Sequence, residues 1–196
     1  MKGGRSVKGH WNRALPILLF LVIGSHATGL LAAANWQTVS SEYFSLLWKK
    51  ITYTQLQVDP QQTLPDTGDI LAPEYAKQII IEYKIGVSAE RFRDMTEKAL
   101  AGAYSQAELL PAAGDIARFS SWYQDVKTGD KYRLAWRPAQ GLQLYLNDAY
   151  LGVIDDPNSA ALILSVWLGP AAVSESQRDT MLAAWRRALT DTKNKL

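Results

Sequence analysis

Apolar residues follow two periods along this chain, one of 2 and one of about 3.6. The first marks strands and the second marks helices. Residues 43–58, YFSLLWKKITYTQLQV, are rich in aromatic and β-branched types. They predict one long strand, or two strands joined by a bend. In such a strand Thr52, Thr54 and Leu56 share a face with Trp48, while Ile51 and Tyr53 face the other way. Residues 59–75 hold Pro60, Pro65, Gly68 and Pro73 and predict a surface loop. In 77–85, Ile79, Ile81, Tyr83 and Ile85 alternate with Ile80, Glu82 and Lys84, which predicts another strand.

Helical spacing begins after Gly86. Ser88 is placed to cap a helix with Glu90 in its first turn, Phe92, Met95, Ala99 and Leu100 on one face, and an end near Gly102. A second helical stretch follows Pro111, around Ile116, Phe119, Tyr123 and Val126. The runs KYRLAWR, LQLYLN and AYLGVID, separated by Pro138–Gly141 and by Asn147-Asp148, predict a three-stranded antiparallel meander with Leu142, Leu144 and Leu146 on one face. Asp155 or Asp156 caps a following helix with Pro157 in its first turn. Its body, Ala160 to Leu168, is apolar enough to be buried, and Gly169-Pro170 stops it. Ser174 caps a last helix to about Leu189, with Met181, Leu182, Trp185 and Leu189 on one face; Asp191–Leu196 predict a frayed tail. The order of elements is an α+β pattern.

The first 34 residues stand apart. Residues 1–13 are polar and basic without an acid, and ALPILLFLVI at 14–23 is an apolar core of signal-peptide length. Ala32-Ala33-Ala34 fits a cleavage site before Asn35, with Ser25-His26-Ala27 as a second candidate. The rival is an uncleaved tether, since residues 14–34 are long enough to cross a bilayer. In both readings the positive charges stay inside and the domain at 35–190 is exported, to the periplasm or beyond the cytoplasmic membrane, as in bacterial-type secretion.

Setting the leader aside changes the chemistry. Lys2, Arg5, Lys8 and Arg13 belong to it, so the 21 basic residues of the chain fall to 17, against 19 acidic ones. That balance, with no basic stripe, excludes an electrostatic footprint for nucleic acid. Both histidines, His10 and His26, also lie in the leader, and the chain has no cysteine. Disulfides, thiol nucleophiles, zinc thiolate sites and histidine acid–base catalysis are therefore excluded from the domain at 35–190. Phosphate loops, catalytic triads and metal-ligand clusters are absent, so no cofactor is expected.

One ordered set of motifs points further. Val126-Lys127-Thr128-Gly129-Asp130, then Leu144-Tyr145-Leu146-Asn147-Asp148 with Leu151-Gly152-Val153-Ile154, then Ser165-Val166-Trp167-Leu168-Gly169-Pro170, resembles the bacterial chalcone isomerase-like domain. Trp48-Lys49-Lys50-Ile51 and Ile81-Glu82-Tyr83 upstream fit it as well, so the resemblance spans roughly Tyr43 to Trp185. It implies an antiparallel sheet with helices packed on one face, an open-faced β-sandwich with a cleft between the layers. It also implies a choice of function, because the family holds plant enzymes that close a chalcone into a flavanone as well as fatty-acid binders without that activity.

In the enzymes a first-strand arginine polarises the substrate, helped by a threonine on the next strand and by tyrosine and asparagine on helices. Thr52 falls where that threonine would stand, but Asn35–Leu47 contains no arginine or lysine. Lys49 and Lys50 point to opposite faces of a strand, and lysine lacks the guanidinium fork. The resemblance therefore implies a domain that binds a small hydrophobic or amphipathic ligand without turning it over, with Thr52, Tyr83, Trp122 and Trp167 as candidate lining residues. Tyr123 belongs with the aromatic group, and Arg91 or Arg93 could meet an anionic head group. Each also has a plain structural use: threonine suits strands, aromatics fill cores, and surface arginines are solvated. The Asp155-Asp156 pair is explained by helix capping. The alternatives are an isomerase or lyase using tyrosine, lysine and threonine, and an envelope module that binds another, unidentified protein.

Overall fold

The computed structural model describes residues 35–65 and 67–193; the leader, its cleavage site and the possible tether at 14–34 lie outside the described residues, as do the side chains from Leu189 onward. Six strands form one fully antiparallel sheet in chain order: β1 (Gln37–Leu46), β2 (Lys49–Val58), β3 (Lys77–Tyr83), β4 (Lys131–Arg137), β5 (Gly141–Leu146) and β6 (Ala149–Ile154). Between β3 and β4 run α1 (Ala89–Ala103), the short α2 (Gln106–Leu109), a 3₁₀ turn at Leu110–Ala112, and α3 (Ala113–Ser121). After β6 come α4 (Pro157–Leu168) and α5 (Glu175–Lys193).

Alternation decides which face of the sheet is covered. Leu56 and Val58, Ile79 and Ile81, Tyr132, Leu134 and Trp136, Leu142 and Leu144, and Ile154 all turn to the helices and are buried. Residues between them, such as Gln55, Glu82, Arg133 and Gln143, face the open side and are part-exposed. The helices sit by the caps read from sequence. Ser88 accepts from the Arg91 N–H, Asp156 from the Ser159 N–H with Pro157 in the first turn, and Ser174 from the Gln177 N–H. Helix α4 is buried along most of its length, as its apolar run requires. Met181 and Trp185 bury α5, and the Trp185 indole N–H donates to the Tyr75 hydroxyl at 3.1 Å.

Several expectations need correction. Of the two readings of residues 43–58, the two-strand one holds, but Leu47 and Trp48 are the turn between the strands, so Trp48 is exposed rather than sharing a face with Thr52. Residues 59–75 do form a loop, but Ile70, Ala72 and Tyr75 pack into the core, a use that loop composition conceals. Ile85 lies beyond the end of β3. The helix after Pro111 stops at Ser121, so Tyr123 and Val126 are outside it; Val126 instead pairs with Val87 in an isolated antiparallel bridge. On α1, Thr96 is buried while Met95 and Ala99 are half-buried. Helix α5 continues past Leu189 to Lys193.

Candidate functional site

Pairing across the first three strands builds one wall of a cavity. Phe44 on β1 stands opposite Thr52 on β2, and Thr52 stands opposite Tyr83 on β3. Thr54 and Ile81 extend the same wall one row deeper. The register between β1 and β2 shifts between Phe44 and Ser45, so β2 carries an extra residue at Ile51. A bulge re-aims side chains, and Ile51 joins Thr52 on the cavity wall instead of facing away with Tyr53.

Helix α1 supplies the facing wall through Arg91, Phe92, Met95 and Thr96, with the β3–α1 connection from Ile85 to Ser88 at one side. Val166 and Trp167 from the end of α4, Val173 and Ser174 from the next loop, and Gln177 from α5 close the rest. The partly open space measures about 590 Å³, within the range of roughly 300–1,000 Å³ usual for small-molecule sites.

Three of the four residues singled out from sequence, Thr52, Tyr83 and Trp167, line this space; Trp122 does not. It lies against Gly152 of β6, where an added methyl group would sit 2.4 Å from its ring, so it packs on the far part of the sheet. Its neighbour Tyr123 takes the place in the lining. Lys49 and Lys50 are exposed and do not reach the cavity; Lys50 places its ammonium 4.0 Å from the centre of the Tyr43 ring. Arg91 lines the mouth, whereas Arg93 does not.

The polar atoms in the wall are few and specific. The Tyr123 hydroxyl lies 3.1 Å from the Thr96 hydroxyl. Tyr83 packs its ring edge-on to Phe92 and Tyr132. Burial holds the phenols of Tyr83 and Tyr123 well above the ordinary tyrosine range, so both stay protonated at neutral pH. The side-chain N–H₂ of Gln177 is buried and has no hydrogen-bond partner among the described residues. The lining contains one cation, Arg91, and no aspartate or glutamate. Such a wall can hold an apolar chain and offer donors to an acceptor at one end. It places no carboxylate or imidazole to move a proton at neutral pH. Among the described residues no group of three or more histidine, cysteine, aspartate or glutamate side chains is placed to hold a metal ion.

The chalcone isomerase-like family model matches residues 59–183. The chain belongs to the chalcone isomerase-like family. Among solved structures, this family member resembles a fatty-acid binding protein of Arabidopsis thaliana, with a TM-score of 0.57 and 13% identity, over 79% of this chain and 90% of that one. None of the curated proteins matches the chain. The family match begins after β2, so Thr52 and the bulge at Ile51 stand upstream of it.

Sequence reasoning missed Gln177, Met95 and the Thr96–Tyr123 pair. Ser174 as a cap did signal that Gln177 sits in the first turn of α5, but not that this turn closes the cavity. The 3.6 period placed Met95 on a helix face without telling core from cleft. The bulge left no sequence mark.

Proposed function

We propose that this chalcone isomerase-like protein is exported and holds one small amphipathic molecule of the fatty-acid kind, without catalysing a reaction on it. The observation that carries the reading is the 590 Å³ cavity, apolar over most of its wall, with its polar side chains limited to hydroxyls, the Trp167 indole, one unpartnered amide and one arginine. A carboxylate head meets donors there and no acid to repel it; an alkyl chain meets Phe44, Ile51, Ile81, Phe92 and Met95. The similarity in fold to a protein named for fatty-acid binding supports the same ligand class.

Absence of catalysis rests on the wall that a chalcone isomerase would need charged. From β1 only Phe44 and Leu46 reach the cavity. Stabilising a developing anion without a positioned cation forfeits several kcal/mol, on the order of the cost of losing one oxyanion donor. Arg91 is exposed at the mouth, across from that wall. Export rests on the leader pattern, with residues 1–34 as leader and 35–190 as the working domain.

Native mass spectrometry of the purified chain with a panel of fatty acids and flavonoids tests the reading. One bound fatty acid per chain is expected. No adduct with any member of the panel contradicts it, and chalcone cyclisation above the spontaneous rate restores the enzyme. N-terminal sequencing of the protein from the cell envelope tests export, with Asn35 expected as the first residue or the leader retained as a tether; recovery from the cytoplasm alone refutes it.

A further inference from the structure

The β1–β2 hairpin ends in Leu46-Leu47-Trp48-Lys49-Lys50, with Leu46 paired to Lys49 and only Leu47 and Trp48 in the loop. Leu47 is 83% exposed and Trp48 89% exposed, the two most exposed large hydrophobic residues among the described residues. Folding does not ask for them. Two-residue hairpin loops favour asparagine, aspartate and glycine, because a residue there takes a positive φ. Leu47 does so at φ 56°, a region that a side chain with a Cβ seldom adopts. A leucine and a tryptophan held in solvent at a turn whose first position favours glycine call for an occupant outside the fold.

The chemistry around the tip selects that occupant. Lys49 and Lys50 are exposed beside the apolar pair, and no acidic residue occurs from Tyr43 to Val58. Leucines at an apex, a tryptophan with an amphipathic ring and flanking lysines are what an anionic lipid surface binds: acyl boundary, interface and head groups in turn. A protein partner fits less well, since five residues at a protruding apex fall far short of the roughly 800 Å² per partner of a stable interface. Among the described residues no helix is long and apolar enough to cross a membrane. We propose that this tip docks the protein on anionic bilayers. Leu46 belongs both to the tip and to the cavity lining, so docking turns the cavity mouth to the lipid. The contact stands on the tip alone; the ligand reading gives it a use.

The chain has no cysteine, so one introduced thiol is a unique reporter. In the full-length protein, S45C, exposed near the tip, and A139C, in the β4–β5 turn at the opposite end of the sheet, each carry an environment-sensitive nitrobenzoxadiazole label. Vesicles are phosphatidylcholine with or without phosphatidylglycerol, with spin-labelled lipid as quencher and no fatty acid added. The Ser45 label is expected to shift blue and be quenched on anionic vesicles, while the Ala139 label is not. In the same S45C background, L47G/W48N gives the turn its favoured glycine at the positive-φ position, keeps the fold and abolishes the shift. K49Q/K50Q weakens partitioning to anionic vesicles by roughly tenfold or more. An unshifted Ser45 label overturns the proposal. So does a shift that survives L47G/W48N, equal quenching at Ala139, or a shift without vesicles that grows with protein concentration, which would mark a second copy on the tip. Because no ligand is present, failure here leaves the cavity reading to its own test.

Discussion

Trp122 lies so close over Gly152 that a Cβ there would stand 2.4 Å from the indole ring. The contact joins the end of α3 to the edge strand β6 and explains why Trp122 is packing rather than lining. Gly152→Ala forces the ring or the strand to move and is expected to cost about 1–3 kcal/mol. Urea unfolding measures the loss, with a change in native tryptophan emission marking the displaced ring; unchanged stability and emission would show that the contact is slack.

The Thr96–Tyr123 hydroxyl pair predicts a non-additive cycle. Thr96→Val keeps the shape but leaves the buried Tyr123 hydroxyl without its partner, at a cost of about 1–2 kcal/mol. Adding Tyr123→Phe removes the orphaned group, so the double variant should recover much of the loss. Chemical denaturation of the four proteins gives the coupling, and strict additivity would mean that the two hydroxyls do not bond.

Lys77 predicts a stability that rises with pH. Its side chain is 1% exposed, donates to the Ala72 carbonyl at 2.7 Å and lies 5.6 Å from the Trp136 ring centre. Burial lowers its pKa to about 7, against about 10.4 in the unfolded chain. Below pH 7 both states hold the proton and the folded state bears the full cost of a buried charge. Between pH 7 and about 10 only the unfolded state holds it, so stability climbs with pH, by at most about 1.4 kcal/mol per unit. Lys77→Met should flatten this rise and leave the variant more stable than the wild type at pH 6. Unfolding titrations from pH 6 to 9.5 check it; parallel curves would place the charge on another group.

Gln177 predicts opposite changes in stability and binding. Its amide nitrogen is buried without a partner, a condition that costs about 1–3 kcal/mol. Gln177→Leu should therefore stabilise the empty protein by about 1 kcal/mol while weakening capture of a fatty-acid carboxylate. Thermal unfolding paired with a fluorescent fatty-acid displacement assay reads both. A destabilised variant would mean that the amide already has a partner in the native state.

Legibility from sequence followed the range of the interactions. Caps, periods and turns are local, so Ser88, Asp156, Ser174 and the β4–β6 meander could be read directly. The cavity depends on long-range register, and there the reading was partial. Alternation put Thr52 and Tyr83 on inward faces, but the bulge that turns Ile51 inward adds one residue to β2 without any glycine or proline to mark it. Trp122 and Tyr123 are neighbours with similar chemistry; only the end of α3 at Ser121 decides which meets the cleft. Aromatic content named the pair and could not split it. The sequence left one long strand or two joined by a bend open over 43–58, because Leu47 and Trp48 have strand propensity and carry no turn residue to mark the bend.

Calorimetric titration of the purified full-length protein with dodecanoate below its micelle concentration tests the central claim most directly, when run beside Thr52→Phe, which grows a side chain into the cavity from the middle of its sheet wall. The account predicts one site per chain in the wild type, and loss of that site in a variant that still unfolds cooperatively. Absence of binding to the wild type, or equal binding to both proteins, would contradict it.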